Sequence, residues 1–494
     1  MISVKLHKNG EIETVSAEKG QNLLKIIQQV NTGFYAPCGG NGTCGKCRVN
    51  ILNEGFVTSC LYSVDKDIDV VLPDDLEMKI LSSQYEFSKE LELKIGSAAG
   101  LSDNPVGVAV DIGTTTMVYY FMDMKTGGIT DVRSKINPQL KYGSDVISRI
   151  NYSSENENGV TELQKILIDN INIVIGEFCT NHGYPKSSIV RLSVVGNTVM
   201  LHTLLGVSAL SIALAPFTPT FTETKILPAK SIGITANSDS SLTIAPSLSG
   251  YVGGDIIAGL ASVNSSFFNK QFLFIDIGTN GEMALVTKDK ILACATAAGP
   301  AFEGANISCG MSATQGAISS FNGGTLKVIG DSNPIGICGS GLIDIIAYML
   351  NENILTIDGN IEDDFIIPEL SSEIKITQQD VREVQLAKSA IAAGISRLLS
   401  IAGISYSDLD NILLAGGFGN YIDIKNAIRI GLLPDVDLNK YIQMGNSAGN
   451  GAVLALKSDD FIPEMENLKE KMEYIELSND PEFSMEYAMN MFFS

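Results

Sequence analysis

Cys38, Cys44, Cys47 and Cys60 are separated by five, two and twelve residues. Thiolates at such spacings can wrap a compact iron–sulfur cluster, and Gly39, Gly40, Gly42 and Gly45 let loop amides come close enough to donate to its sulfides. A structural zinc site would also use four cysteines, but it favours two close Cys pairs and only Cys44 and Cys47 form one. The loop matches a dinucleotide fingerprint at Gly40, Gly42 and Gly45, and nearly matches a phosphate loop from Gly40 to Lys46. Both fail on context: a helical pattern precedes the loop, a strand follows, and Cys47 stands where a phosphate loop needs Ser or Thr for magnesium. Cys179, Cys294, Cys309 and Cys338 are scattered without ligand spacing and read as buried thiols.

A second chemistry lies downstream. Val106 to Val110 is an apolar strand running into Asp111-Ile-Gly-Thr-Thr-Thr116, followed by the strand Met117 to Met122. The design returns at Phe272 to Ile275, Asp276-Ile-Gly-Thr-Asn-Gly-Glu282 and Met283 to Val286, which suggests an internal duplication. A glycine turn between strands lets amides and hydroxyls surround phosphate oxygens without a large positive charge. Gly113, Thr114, Thr115 and Thr116 would do so in the first turn, and Gly278, Thr279, Asn280 and Gly281 in the second. Asp111 would hold Mg²⁺ through its water shell, and Asp276 would orient the attacking water or a second Mg²⁺-bound water. Leu413-Leu-Ala-Gly-Gly-Phe-Gly-Asn420 is strand-then-glycine, so the backbone at Gly416, Gly417 and Phe418 would lie against adenosine. An electron carrier joined to an ATPase points to electrons pushed uphill.

These residues need elements to hold them. Residues 2 to 16 alternate around Asn9-Gly10, a hairpin signature, and an amphipathic helix follows with Leu23, Leu24, Ile26, Ile27 and Val30 on one face. Strands at Arg48 to Leu52 and Ile68 to Leu72 complete a small mixed sheet, so residues 1–80 match a β-grasp ferredoxin domain carrying a 2Fe-2S cluster. Residues 81–105 lose periodicity and read as a linker. The 494 residues carry 45% hydrophobic residues and a net charge of -22, so the chain builds several cores and repels nucleic acid and anionic membranes. Leu192 to Thr222 lacks charge but is interrupted by Gly196, Asn197, His202, Gly206 and Pro216, so it reads as a buried strand and helix and not a membrane span. No export signal is read at the N-terminus, and the expected compartment is the cytoplasm.

The two Asp turns and the third motif together resemble the actin-like (ASKHA) ATPase superfamily of sugar kinases, Hsp70 and actin. That resemblance implies a duplicated RNase H-like ATPase, lobes 106–270 and 271–494, with ATP and Mg²⁺ in the cleft between them. The fold class is thus α+β followed by α/β. Helix Thr377 to Ser400, with Thr377 and Asp380 as a capping box, fits the interlobe helix. Lys388 on it reads as a solvated lysine that could reach nucleotide, and Gly339-Ser-Gly341 as a helix cap or a phosphate contact.

A ferredoxin domain before such an ATPase resembles the reductive activators of corrinoid proteins, nearly end to end. The blocks Val195-Gly-Asn-Thr-Val-Met-Leu-His202, Tyr251-Val-Gly-Gly-Asp255, Gly299-Pro-Ala-Phe-Glu-Gly-Ala305 and Gly336-Ile-Cys-Gly-Ser-Gly341 look like that family's own. The connector is shorter than in members with a linker domain. The resemblance implies one-electron reduction of an inactive Co(II) corrinoid protein of a methyltransferase system to Co(I), driven by ATP. It also implies a low-potential donor such as ferredoxin or flavodoxin. The alternatives are an ATP-driven donor to a radical dehydratase or aromatic reductase, and a redox-sensing ATPase switch without catalysis. His202 lies in an apolar block and reads as a satisfied core residue, not a cobalt ligand.

Overall fold

Strands Ile2–Lys8 and Glu11–Ala17 pair antiparallel, with Val4 opposite Val15, and the first of them runs parallel to Ile68–Val71. In the computed structural model the described residues are 1–8, 11–30, 34, 40, 42, 47–52, 54–72, 89–94, 96, 100–368, 370 and 374–494. Asn9, Gly10, Cys38, Cys44 and residues 81–88 lie outside them. Arg48–Ile51 and Gly55–Thr58 complete a five-stranded mixed sheet, and helix Leu23–Val30 buries Leu23, Leu24, Ile26 and Ile27 against it. The helix forms because these four apolar residues fall on one face. Cys47 and Cys60 lie in the same core.

Two six-stranded sheets follow, and they share a wiring. In the first, Val106–Ile112, Thr116–Asp123 and Ile129–Ile136 form an antiparallel meander. Ile189–Gly196 then inserts parallel to Val106–Ile112, and Ser241–Ile244 parallel to that. In the second, Phe272–Ile277, Gly281–Val286 and Ile291–Thr296 form the meander, and Asn411–Ala415 and Tyr441–Gly445 add in parallel on the other side. The repeated order explains why the Asp turns recur: each is the first hairpin of its sheet. The sixth strands differ, Lys225–Pro228 closing one sheet antiparallel and Met472–Tyr474 the other in parallel.

The strands are apolar on both faces because both faces are covered. Helix Gly159–His182 covers the outer face of the first sheet, and helices Gly339–Asn351 and Gln378–Ala402 cover the outer face of the second. Between the sheets lie helices Gly254–Ala261 and Ser447–Lys457, packed with Ala109, Tyr120, Phe272, Phe274 and Leu413. Full burial of a side chain such as Phe274 contributes about 1.5–3 kcal/mol. These two helices touch almost backbone to backbone: a Cβ on Gly451 would stand 2.3 Å from the Ala258 oxygen, and one on Gly259 would stand 2.8 Å from Ser447 Oγ.

Three placements differ from the sequence reading. Helix Ser447–Lys457, which follows the second lobe's strands, packs on the first lobe's Val106–Ile112 and Ile189–Gly196, so the late chain crosses back. The described part of the connector is docked: Lys89 N donates to Ser262 O at 2.8 Å, Lys94 N to Lys457 O at 2.8 Å, and Leu91 and Leu101 pack on the interlobe core. Its Leu residues supply the apolar surface that the Ser, Lys and Glu around them obscured. Helix Gln378–Ala402, expected as the interlobe helix, lies in the second-lobe core, where Val381, Val384, Ile391, Ile395 and Leu398 are buried; by composition alone it is long and apolar enough to cross a bilayer. Its capping box between Thr377 and Asp380 forms as read.

Candidate functional site

Each Asp turn joins the first two strands of its sheet, in the sheet interior and at the equivalent strand end. In the first, Gly113 N donates to Thr116 O at 3.0 Å and closes the turn. The other carbonyls are tied backward: Gly113 O accepts from Asn137 Nδ2 at 2.8 Å, Thr114 O from Arg149 Nη2 at 2.6 Å and Thr115 O from Asn137 N at 2.8 Å. With the carbonyls so occupied, the amides of Thr114 and Thr115 remain as donors for an anion. Asn197 Nδ2 holds Thr114 Oγ1 at 3.1 Å. Arg149 is buried with neutral partners, and burial lowers its pKa to about 10.

The second turn closes through Gly278 N to Asn280 O at 3.0 Å. Gly281 faces the interior: a Cβ there would meet Thr296 Oγ1 at 2.7 Å and Ile391 Cγ1 at 2.8 Å, so this glycine serves packing against the long helix. In the third motif Gly416 has φ +83° and a Cβ on it would stand 2.4 Å from Asp276 Oδ1, which brings this motif onto the second aspartate. A Cβ on Gly417 would meet nothing within 4 Å. Phe418 turns away from that opening and stacks on Phe302 at 5.1 Å, so only its backbone can line the cleft.

Four carboxyls gather where the lobes meet. Burial raises Asp111 to about 6, against the pull of Asn446, whose Nδ2 donates to Asp111 Oδ2 at 2.9 Å. Burial and then the charge of Asp111 raise Asp276 to about 7. Asp255, in the first turn of helix Gly254–Ala261, rises to about 8 through burial and then the charges of Asp276 and Asp111. Glu282, paired across the hairpin with Asp276, is pushed well above the carboxylate range by burial and by Asp255 and Asp276. Such mutual repulsion in a buried place is what a divalent cation relieves. Among the described residues no three acidic, His or Cys side chains form a direct metal cage.

Asp255, Glu282, Glu303 and Asn446 were not singled out from sequence. Asp255, Glu282 and Glu303 lie in glycine-rich segments, and their acidity amid glycines is the signal that marks them. Lys388, expected to be solvated or within reach of nucleotide, is instead buried beneath the C-terminal tail, donating to Phe492 O and lying 5.2 Å from the Phe493 ring, with its pKa lowered by burial to about 8. Gly339 and Gly341 are needed for close packing of their helix, since a Cβ on them would stand 2.0 Å from Phe302 O and 2.2 Å from Ile318 O. His202 is a satisfied core residue, its Nδ1 2.8 Å from Thr198 O and its Nε2 accepting from Thr220 N at 3.0 Å.

In the N-terminal domain Cys60 N donates to Cys47 Sγ at 3.4 Å, an amide-to-sulfur contact of the kind that stabilises thiolate ligands. Gly40 and Gly42 have φ of +85° and +76°, and a Cβ on them would press within 2.9 Å of Leu24 and 2.6 Å of Leu61. The tight backbone and the amide-to-sulfur contact fit a cluster carried by this loop.

Three family models match in succession: a 2Fe-2S iron–sulfur cluster binding domain over residues 6–69, the RACo middle region over 106–265, and the C-terminal ASKHA domain of RACo over 270–494. The chain is 32% identical to the corrinoid activation enzyme RamQ of Eubacterium limosum, over 97% of this chain and 98% of that one. It is 26% identical to a Co(II) methylated amine-specific corrinoid protein reductase of Methanosarcina barkeri, over 69% and 68%. A solved structure described as a reductive activator for a corrinoid, iron–sulfur protein matches with a TM-score of 0.73 and 30% identity, covering 99% of this chain and 98% of that one.

Proposed function

Because this chain belongs to the RACo family of corrinoid activators, we propose that it is an ATP-dependent reductive activator. It passes one electron to a corrinoid protein whose cobalt has lapsed to Co(II), and so restores Co(I) for methyl transfer. The observation that carries this is the union in one chain of a cysteine loop and an interlobe cleft, matched to such activators over nearly its whole length.

The 2Fe-2S group, when bound, supplies a single electron at roughly -400 mV. Cys38, Cys44, Cys47 and Cys60 hold it, with the Cys60 amide stabilising the Cys47 thiolate. For a one-electron step each 59 mV of deficit costs about tenfold in equilibrium, so a cobalt centre of lower potential needs a second source of free energy. The ATPase supplies it. Gly113 to Thr116 and Gly278 to Asn280 receive the phosphates, Gly281 packing inward instead, and Gly416 and Gly417 lie against adenosine. Asp111 would hold Mg²⁺ through its water shell and Asp276 would orient the attacking water or a second Mg²⁺-bound water, with Asp255 and Glu282 beside them as buried acids. Closing the lobes on ATP changes the affinity for the Co(II) partner, and hydrolysis resets it, as coupling by differential affinity requires.

The domain plan follows: ferredoxin domain 1–80, connector 81–105, and lobes 106–270 and 271–494. The electron donor is a low-potential carrier such as ferredoxin or flavodoxin, and the setting is cytoplasmic, without membrane or nucleic-acid partners, in keeping with the net charge of -22. The test mixes purified protein with a Co(II) corrinoid protein, a low-potential reductant and MgATP, and follows the visible spectrum. Co(I) is expected only with ATP; its absence despite normal cluster reduction would overturn the reading.

A further inference from the structure

Glu303 ends the short turn Pro300–Glu303 and takes one hydrogen bond from each lobe. Thr115 Oγ1 donates to its Oε2 at 2.8 Å and Thr279 Oγ1 to its Oε1 at 2.7 Å. One threonine comes from each Asp turn: Thr279 follows Gly278 directly, and Thr115 stands one residue further along its own turn, after Thr114. Each hydroxyl owns a single proton. While that proton is given to Glu303 it cannot be given to a phosphate oxygen, so the carboxylate and a phosphate group compete for the same two donors.

The backbone fixes where Glu303 stands. Phe302, just before it, is stacked on Phe418 of the third motif. Gly304, just after it, has φ +81°, and a Cβ there would lie 2.4 Å from Met311 O. The buried Arg149 guanidinium, which holds Thr114 O, adds its charge on the same side. The carboxylate is thus an anion held between the two turns by a rigid support.

We propose that Glu303 is an internal phosphate surrogate, a positioning residue that clasps the two turns together before nucleotide binds and gives up Thr115 and Thr279 to the phosphates of ATP. This rests on reading the cleft as the ATP site. The exchange replaces one bridge between the lobes with another, so nucleotide arrival carries a built-in difference in interlobe contacts, which coupling demands.

The test is equilibrium binding of the imido analogue of ATP with Mg²⁺ to the full-length holoprotein, comparing wild type with E303Q and E303D. In Glu303→Gln the amide N–H donates to one threonine, which frees that hydroxyl's proton for phosphate, and the negative charge is gone. In Glu303→Asp the charge remains, but the shorter arm cannot reach both threonines. Removing a charge-assisted competitor is expected to tighten E303Q about tenfold, with E303D tightened less. A looser fold would weaken binding, so tightening separates the clasp from a merely structural role. Unchanged or weaker binding by E303Q would overturn the clasp, and if E303Q failed to fold, the same result with E303D would do so. Wild-type protein that bound no nucleotide would overturn the ATP reading and the clasp with it.

Discussion

Asn446 and Asp111 stand 335 positions apart, yet the side-chain amide of the first donates to the carboxylate of the second at 2.9 Å. The other end of the same amide accepts from Gly449 N at 2.7 Å and caps helix Ser447–Lys457. One side chain therefore fixes the start of an interlobe helix and the orientation of the carboxylate assigned to the Mg²⁺ water shell. A movement of that helix on the first sheet would be felt directly at Asp111.

Substitution at Asn446 separates these two roles. Serine keeps an N-cap oxygen but is too short to hold Asp111, whereas alanine loses both. Asn446→Ser is expected to melt close to wild type and to bind MgATP several-fold more weakly. Asn446→Ala is expected to lose about 1 kcal/mol of stability as well. Thermal melts and nucleotide titrations on the same samples check this, and wild-type affinity in N446S would sink the assignment.

The carboxyl cluster predicts a pH dependence. Asp111, Asp276 and Asp255 are raised to about 6, about 7 and about 8 from an ordinary 3.8, through burial first and then, for the latter two, neighbouring charge. Folded protein thus holds more protons than unfolded chain between about pH 4 and pH 8, so the contribution is fully present at low pH and lost as pH rises through the folded values. Without nucleotide the melting temperature should fall from pH 5 to pH 8 by more in wild type than in Asp255→Asn. Equal slopes would refute the assignment for Asp255. Since Mg²⁺ favours the ionised forms, the stabilisation by MgATP should grow over the same window.

What the sequence made legible was local. Each Asp turn is a strand, a glycine turn and a strand within about fifteen residues, and the helix cap at Thr377 and Asp380 is a three-residue signal. The rest of the cleft is built from distant pieces: Asp255 from a helix packed between the sheets, Glu303 from a short turn, Asn446 from a helix that crosses to the other lobe. No spacing rule connects such positions, and only the duplicated sheets bring them together. Lys388 failed for the same reason, because its partner is the C-terminal tail more than a hundred residues later.

The cysteine loop and the cleft should fail separately. Cys60 is nearly buried on the turn Ser59–Leu61, and its backbone amide, which contacts Cys47, survives substitution of the side chain. Cys60→Ser prepared without oxygen should lose the visible iron–sulfur absorption and keep wild-type affinity for MgATP. Cys179→Ser, on helix Gly159–His182 in the first-lobe core, should keep both. Full absorption and iron content in C60S would remove Cys60 from the ligand set.

Gly416 and Gly417 are neighbours with opposite demands. Alanine at 416 must hold a left-handed φ of +83° and place its Cβ 2.4 Å from Asp276 Oδ1. The backbone strain alone costs about 1–2 kcal/mol, and the contact would displace the carboxylate proposed to orient the attacking water. Alanine at 417 meets nothing within 4 Å and sits in the short helix Gly416–Gly419, where it is a better helix former than glycine. Gly416→Ala should therefore lower both the melting temperature and ATP turnover. Gly417→Ala should melt at or slightly above wild type, while its methyl group takes space offered to adenosine and weakens ATP binding. A Gly417→Ala protein of normal stability and normal ATP affinity would show that this opening is not where the nucleotide lies.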